Sequence, residues 1–139
     1  MDKGPLVVDQ IDAGAEFLTR LQKYLPVKIA FWLKRSDTGR WYFYFASDKF
    51  NENNLEQGEE EVRRVSRGWW DPYLIWVPVS LLAVDDPLVR DVLQIQQLYS
   101  GKKPIRYDGY YLGDMSIDDC YIYPSPEPVP TPSVESSGS

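Results

Sequence analysis

The chain has 139 residues, 43% of them hydrophobic and 14% aromatic, so it can bury a core without disulfides or structural metals. Its formal net charge of −6 opposes binding to nucleic-acid phosphates, and its lack of histidine excludes triads, zinc sites and acid–base catalysis that use imidazole. No glycine-rich phosphate loop is present, and no apolar run approaches the about 20 residues that span a bilayer.

The single cysteine, Cys120, excludes an intramolecular disulfide and suits a reducing cytosol. With no histidine to activate its thiol, it is predicted to be a half-buried strand residue that acts as a small hydrophobe rather than a nucleophile. The sequence lacks the basic start and the following apolar stretch that are typical of a secretory signal, so no such signal is predicted. These features predict a cytoplasmic protein without a cofactor, a nucleic-acid partner or a membrane partner.

Apolar residues at helical spacing, from Ile11 to Leu25, predict a first helix over about 10–24, which Pro26 ends. Gly14 lies inside this helix, where glycine costs up to about 1 kcal/mol relative to alanine. Its presence there indicates close packing against a sheet.

Residues 27–47 are the densest run of strand-forming aromatics, and they predict a β-hairpin. Asp37, Thr38 and Gly39 fit a three-residue loop with Gly39 in the left-handed region. A four-residue loop would mix lysines with phenylalanines on both faces, so we predict the three-residue loop. It places six apolar residues on one face: Ile29, Phe31, Leu33, Trp41, Phe43 and Phe45.

The same register puts Trp32 opposite Tyr44 and Lys34 opposite Tyr42 on the second face. If helices cover only the first face, these rings form an exposed patch edged by lysines, a composition typical of protein interfaces. Trp32, Lys34, Tyr42 and Tyr44 are therefore the candidate partner-binding residues. The alternative is that another helix or the C-terminal tail covers this face, since a central sheet is commonly buried on both sides.

Glutamates four residues before arginines predict a second helix over about 55–67, with Gly68 as a left-handed cap. The apolar run that follows predicts a third strand. Because Pro78 cannot donate to a central ladder, the paired part is either residues 74–77 or residues 79–84.

Asp86 as N-cap and Pro87 at the first helical position predict a third helix, with Gly101 just past its end. Asp108-Gly109 is the strongest hairpin signal that follows, and residues 120–123 predict the last strand.

The predicted order is α-β-β-α-β-α-β-β, which indicates an α+β domain with a mostly antiparallel twisted sheet and helices packed on one face. A doubly wound parallel sheet is disfavoured because the first and last strand pairs look like hairpins. The domain covers residues 1–123. The proline- and serine-rich residues 124–139 predict a disordered tail.

Asp114, Asp118 and Asp119 lie close together in the sequence and near Asp108, and their oxygens could hold a hard cation. They motivate an alternative function, a metal-dependent hydrolase. Their spacing matches no established calcium loop, and aspartates are common turn residues, so no metal site is assigned.

The stretches AFWLKRSDTGRWYFYFAS, DDPLVRDV and IDDCYIY resemble small uncharacterised bacterial proteins that have an AFW strand, a GRW turn, a DPLV helix start and a YIY end. The resemblance covers residues 9 to 123 in patches. Pro124 stands where that pattern has a basic residue. The resemblance implies a bacterial, soluble, compact protein, and it implies no activity.

The absence of a catalytic constellation, together with the amphipathic hairpin face, predicts a non-enzymatic domain that binds another protein. An immunity- or antitoxin-like partner of a basic protein is one subclass, because excess negative charge would speed the encounter. An uncovered hairpin edge would allow a homodimer. A third hypothesis is a small-molecule sensor with an apolar pocket between sheet and helices.

Overall fold

The computed structural model describes residues 6, 8–69, 71–75, 77–99 and 102–125. The predicted tail beyond Ser125 lies outside the described residues, and so does the predicted helix cap at Gly101. No helix in the described ranges combines the length and the apolar character that crossing a membrane requires.

Three helices and six strands make up the regular structure of these residues. In chain order they are α1 (Val8–Leu21), β1 (Ile29–Arg35), β2 (Trp41–Ala46), α2 (Leu55–Val65), β3 (Val79–Leu82), α3 (Pro87–Leu98), β4 (Ile105–Tyr107), β5 (Tyr111–Leu112) and β6 (Met115–Ile122).

The strands form one sheet in the order β3-β2-β1-β6-β4, and β5 pairs with the first residues of β6. Among the described strands only β2 and β3 pair in parallel, so the predicted α+β class and mostly antiparallel sheet are confirmed. The last strand, β6, lies between β1 and β4 rather than at an edge. Edge positions are left to the short strands β3 and β4.

Helices lie on both faces of the sheet, which corrects the prediction that they gather on one face. α1 and α2 pack on the side that carries Trp32 and Phe43, which we call the closed face. α3 packs on the opposite side, which carries Phe31, Leu33 and Tyr44 and which we call the cleft face. Two-sided burial makes both sides of β1 and β2 apolar, so the strand pattern alone did not reveal a solvent side.

The register of the β1–β2 hairpin is one residue away from the prediction. Trp32 pairs with Phe43 and Leu33 with Tyr42, which leaves a four-residue loop, 36–39. The prediction is wrong because it required one wholly apolar and one amphipathic face, whereas both faces are covered. The four-residue loop places Lys34 on a buried face. Lys34 lies near the strand end and is half-buried, so its charged tip can reach water.

The helix predictions hold to within a few residues. Gly14 is buried on α1, and a Cβ there would lie 3.2 Å from Trp32 Nε1 and 3.3 Å from Phe43 Cζ, which confirms the predicted close packing. Asp86 caps α3 by accepting a hydrogen bond from the Leu88 amide at 2.9 Å.

The C-terminal turns differ from the prediction. The predicted hairpin at Asp108-Gly109 does not form, because β4 and β5 each pair with β6 and not with each other. The tight turn is Gly113-Asp114, between β5 and β6, with Gly113 at a φ of 59°. The third strand is Val79–Leu82, the second of the two alternatives.

Candidate functional site

Trp32 is fully buried on the closed face, on the other side of the sheet from Tyr42 and Tyr44. Its indole Nε1 donates to Tyr123 Oη at 2.9 Å, and that hydroxyl donates to the Ile11 carbonyl at 2.6 Å. This chain of hydrogen bonds links β1, the end of β6 and α1. The Trp32 side chain therefore belongs to the packed interior.

Lys34 shares the closed face with Trp32, in register with Trp41 on β2 and with Asp119 on β6. The four candidate partner-binding residues are thus divided between the two faces and do not form one patch. Two of them, Tyr42 and Tyr44, remain together on the cleft face.

Tyr42 and Tyr44 stack at the end of the hairpin, with ring centroids 5.9 Å apart and planes 12° apart. The Arg35 guanidinium lies 5.3 Å from the Tyr42 ring centroid, and its proximity to the Tyr44 phenol acts to lower the pKa of that phenol. Asp37 binds the same guanidinium through both carboxylate oxygens, at 3.1 and 2.9 Å. The hairpin loop thus presents an arginine that a carboxylate and two phenol rings already hold in place.

Arg35, Asp37 and Tyr44 line one end of a cavity of about 460 Å³ on the cleft face, which we call the tyrosine cleft. Tyr42 stacks on Tyr44 outside this lining. The apolar lining of the cleft comes from Leu82, Pro87, Leu88, Leu112 and Met115. Its polar lining comes from Arg35, Asp37, Tyr44, Asp86, Asp114 and Ser116. On this face α3 contacts β1, β5 and β6. Tyr42 of β2 and Leu82 of β3 stay half-buried.

The wall of the cleft opposite the hairpin is set by the Gly113-Asp114 turn. A Cβ at residue 113 would lie 3.0 Å from the Leu88 amide nitrogen, so only glycine allows the turn to approach the first turn of α3 this closely. The Gly113 amide also donates to Asp91 Oδ2 at 2.6 Å. Asp114, the next residue, is exposed at the rim.

The cleft carries an excess of negative charge at its rim. Burial raises the pKa of the Tyr44 phenol, and the hydrogen bond and charge of Arg35 oppose this only in part, so the phenol is neutral at pH 7. The hydrogen bonds from Arg35 lower the pKa of Asp37. Three carboxylates, those of Asp37, Asp86 and Asp114, therefore accompany one guanidinium, and Asp37 already neutralises that guanidinium.

The aspartates proposed as cation ligands are dispersed. Asp118 accepts from the Ser36 hydroxyl at 2.8 Å, and Asp119 binds Arg106 through both oxygens at 3.1 and 3.0 Å. Asp114 lies apart from both, at the tyrosine cleft. Within the described part of the chain, no three acidic or cysteine side chains are grouped to hold a metal ion. The metal-dependent hydrolase gains no support from this arrangement and stays a prediction.

Cys120 lies in β6 and is fully buried on the cleft face, deeper than the half-buried position predicted from the sequence. Burial raises the pKa of its thiol well above its ordinary value, and the neighbouring charge of Asp119 acts in the same direction. A thiol in this state is a poor nucleophile at neutral pH.

Comparison with family models, curated proteins and solved structures gave no match to this chain. The resemblance to small bacterial proteins therefore stays a prediction, and the argument for function depends on the geometry of the cleft.

Of the residues that line the cleft, Tyr44 was predicted from the sequence as a candidate partner-binding residue, whereas Arg35 and Asp37 were missed. An arginine two residues before an aspartate at a hairpin loop was an available signal for their ion pair. No local sequence signal predicted that Leu82 and Leu112 line the cleft, because this depends on how α3 lies across the sheet.

Proposed function

We propose that the chain is a non-enzymatic protein-binding domain, and that its tyrosine cleft receives a lysine or arginine side chain of a basic partner protein. The observation that carries the proposal is the combination, in one cavity of about 460 Å³, of an apolar lining and a rim rich in carboxylates. Lysine and arginine match such a site because each has an apolar stem and a cationic head.

The arrangement of charges at the rim supports a cationic occupant. Asp37 is already paired with Arg35, whereas Asp114 is exposed, and Asp86 uses Oδ1 for the cap of α3. The Tyr44 phenol adds an aromatic edge beside these carboxylates. The net charge of −6 would also attract a basic protein over longer distances, as for an immunity- or antitoxin-like protein in a bacterial cytosol.

The first experiment is an NMR titration of the isotope-labelled chain with three blocked tripeptides, which carry arginine, lysine or glutamine between two glycines. We expect the basic peptides to shift the amide signals of Tyr44, Leu88 and Asp114, with affinities near about 1 mM and weaker binding at higher salt. Equal shifts of these signals by the glutamine peptide would contradict a cationic occupant.

A pair of variants with the same change of charge isolates the cleft. Asp114→Asn should weaken binding of the arginine peptide about threefold, because it removes one exposed carboxylate from the rim. Asp108→Asn removes an exposed carboxylate that does not line the cleft, so it should bind the peptide as the wild type does. Equal weakening by both variants would indicate only a general effect of net charge.

The second experiment identifies the partner itself. A photoreactive amino acid in place of Ser116, at the cleft rim, should crosslink to a partner segment that contains lysine or arginine. The same amino acid in place of Asp108 is the matched control. Crosslinks from residue 116 to segments without basic residues would overturn the proposed occupant.

A further inference from the structure

The two edges of the sheet are protected unequally. The sheet ends in β3 on one side and in β4 on the other. α2 packs on β3, where Leu81 is only 3% exposed. Along β4, by contrast, Arg106 at the centre is exposed, and so are Pro104 and Asp108, the residues that flank the strand. β4 is therefore the edge that another polypeptide can reach.

The hydrogen bonds of β6 show which backbone groups of β4 lie on this edge. Successive residues of a strand direct their N–H and C=O groups to alternate sides. Tyr123 donates to the Ala30 carbonyl of β1 at 3.0 Å, so the preceding residue, Ile122, bonds to β4, where it pairs with Ile105. Because the alternation continues along β4, the N–H and C=O of Arg106 are directed away from β6. Among the described residues, no loop or turn backbone group bonds to Arg106.

We infer that β4 is a homodimerisation edge, at which the β4 strands of two copies of this chain pair antiparallel about a two-fold axis at Arg106. In this register each Arg106 N–H donates to the Arg106 carbonyl of the second copy, and each Asp108 N–H donates to the Pro104 carbonyl. These four bonds would join the two sheets into one. The inference does not depend on the tyrosine cleft, whose lining includes no residue of β4.

The order of charges along the edge favours a second copy as the occupant. The exposed Lys102 and Lys103 precede β4, and the exposed Asp108 follows it. Antiparallel pairing therefore brings the lysines of each copy beside Asp108 of the other, at both ends of the interface. Arg106 would face Arg106 of the second copy, but Asp119 already binds each guanidinium through both oxygens, at 3.1 and 3.0 Å. Two neutralised groups would thus meet at the axis.

The apolar side chains of the edge match one another in the same register. Ile105 and Tyr107 are half-buried on the cleft face, and antiparallel pairing sets Ile105 of each copy opposite Tyr107 of the other. Tyr110, 81% exposed just beyond β4, would lie near Lys102 of the second copy. Because β4 has only three residues, the interface is small, and we expect a dimer with a Kd on the order of 100 µM.

The first test combines analytical ultracentrifugation of the full chain with hydrogen exchange. Between about 20 µM and about 500 µM protein, we expect the monomer to convert largely to dimer and the Arg106 and Asp108 amides to exchange about threefold more slowly. The Ile105 and Tyr107 amides, already bonded to β6, should not change. A chain that stays monomeric at these concentrations, or a dimer that leaves the Arg106 amide unprotected, would overturn the inference.

Two substitutions of the same residue separate the main chain from the side chain. Arg106→Pro removes the N–H that lies on the free edge and no bond to β6, and an edge strand tolerates proline at such a position. We expect it to raise the dimer Kd at least about tenfold. Arg106→Ala, the matched control, loses the same guanidinium but keeps the N–H, so the Kd should change less than about threefold. Equal Kd values for the two variants would contradict main-chain pairing.

Arg106→Cys tests the register without relying on the proline variant. A two-fold axis at this residue sets the two Cα atoms about 5.5 Å apart, within the span of a disulfide. Under mild oxidation we expect covalent dimers to form about tenfold faster than with Glu56→Cys, an exposed control position on α2. The native Cys120 is buried and should not interfere. Equal rates for the two variants would place any contact between copies elsewhere and overturn the inference.

Discussion

The two faces of the sheet use alternate residues of the same strands, yet they end in different states. On the closed face, α1 lies against Trp32, and the buried indole and the Tyr123 hydroxyl are hydrogen-bonded to each other and to α1. On the cleft face, α3 covers β1 and β6 but leaves Tyr42 half-buried beside a cavity. The comparison teaches that the position of a helix across the sheet, and not the polarity of the strand residues, decides where a cavity remains beside the strands.

The largest expected effect is the loss of protein stability caused by a substitution on the closed face. Trp32→Ala should lower the free energy of unfolding by about 3–5 kcal/mol, because it creates a cavity in a fully packed region. Tyr42→Ala, on the half-buried edge of the cleft face, should cost about 1 kcal/mol. Urea unfolding of both variants measures the difference. Equal losses would contradict the distinction between the two faces.

Gly14→Ala tests how closely α1 approaches the closed face. The added methyl would clash with the Tyr123 hydroxyl and crowd the Trp32 indole, so we expect a net destabilisation of about 1–3 kcal/mol despite the better helix propensity of alanine. Thermal and urea unfolding check this value. Glu16→Ala, on the exposed side of the same helix, is the control and should change stability by no more than about 0.5 kcal/mol.

Tyr123 gives the closed face a dependence on alkaline pH. Burial raises the pKa of its phenol, so the folded state keeps the proton where the unfolded chain, with a pKa of about 10, loses it. Its contribution is complete below about pH 10 and falls as the pH rises above that value, by up to about 1.4 kcal/mol per pH unit.

Tyr123→Phe should reduce this alkaline dependence. It should also cost about 1–3 kcal/mol at pH 7, because the Trp32 indole and the Ile11 carbonyl lose their shared partner. Urea unfolding at pH 7, 9 and 11 measures both effects. An unchanged slope between pH 9 and pH 11 would show that Tyr123 ionises equally in both states.

The smallest expected effect belongs to the rim of the cleft face. Asp114→Asn and Asp108→Asn should each change the free energy of unfolding by less than about 0.5 kcal/mol, since both residues are exposed. Thermal unfolding checks this. A large loss in Asp114→Asn would mean that the rim carboxylate serves the turn beside α3 rather than a ligand.

Local signals in the sequence predicted the helices well. Asp86 and Pro87 define the start of α3 through their own chemistry, and Gly14 was correctly read as a point of close packing. The cap and the proline act within one turn of the chain, so they can be read without knowing the rest of the fold. The cost of glycine inside a helix pointed to close packing at Gly14, but its neighbours, Trp32, Phe43 and Tyr123, come from distant parts of the chain.

Features that depend on tertiary packing were not predictable in the same way. The hairpin register could not be found by seeking one apolar face, because α1 and α2 pack on one side of β1 and β2 and α3 packs on the other. Asp108-Gly109 carries a stronger hairpin signal than Gly113-Asp114. However, β4 and β5 both form backbone hydrogen bonds with β6, and this long-range pairing overrides the local preference. The tyrosine cleft combines residues from four separate parts of the chain.

The central position of β6 has a consequence for the order in which the protein is made. β1 can pair on its second side only after residues 117–122 have been synthesised. The Trp32 indole can form its hydrogen bond only after Tyr123 has followed. A ribosome-bound chain that ends before β6 thus presents β1 as an unpaired hydrophobic edge, the kind of surface that chaperones recognise and that aggregates readily. Formation of the sheet is therefore a late event in synthesis, and its many distant contacts predict slow folding.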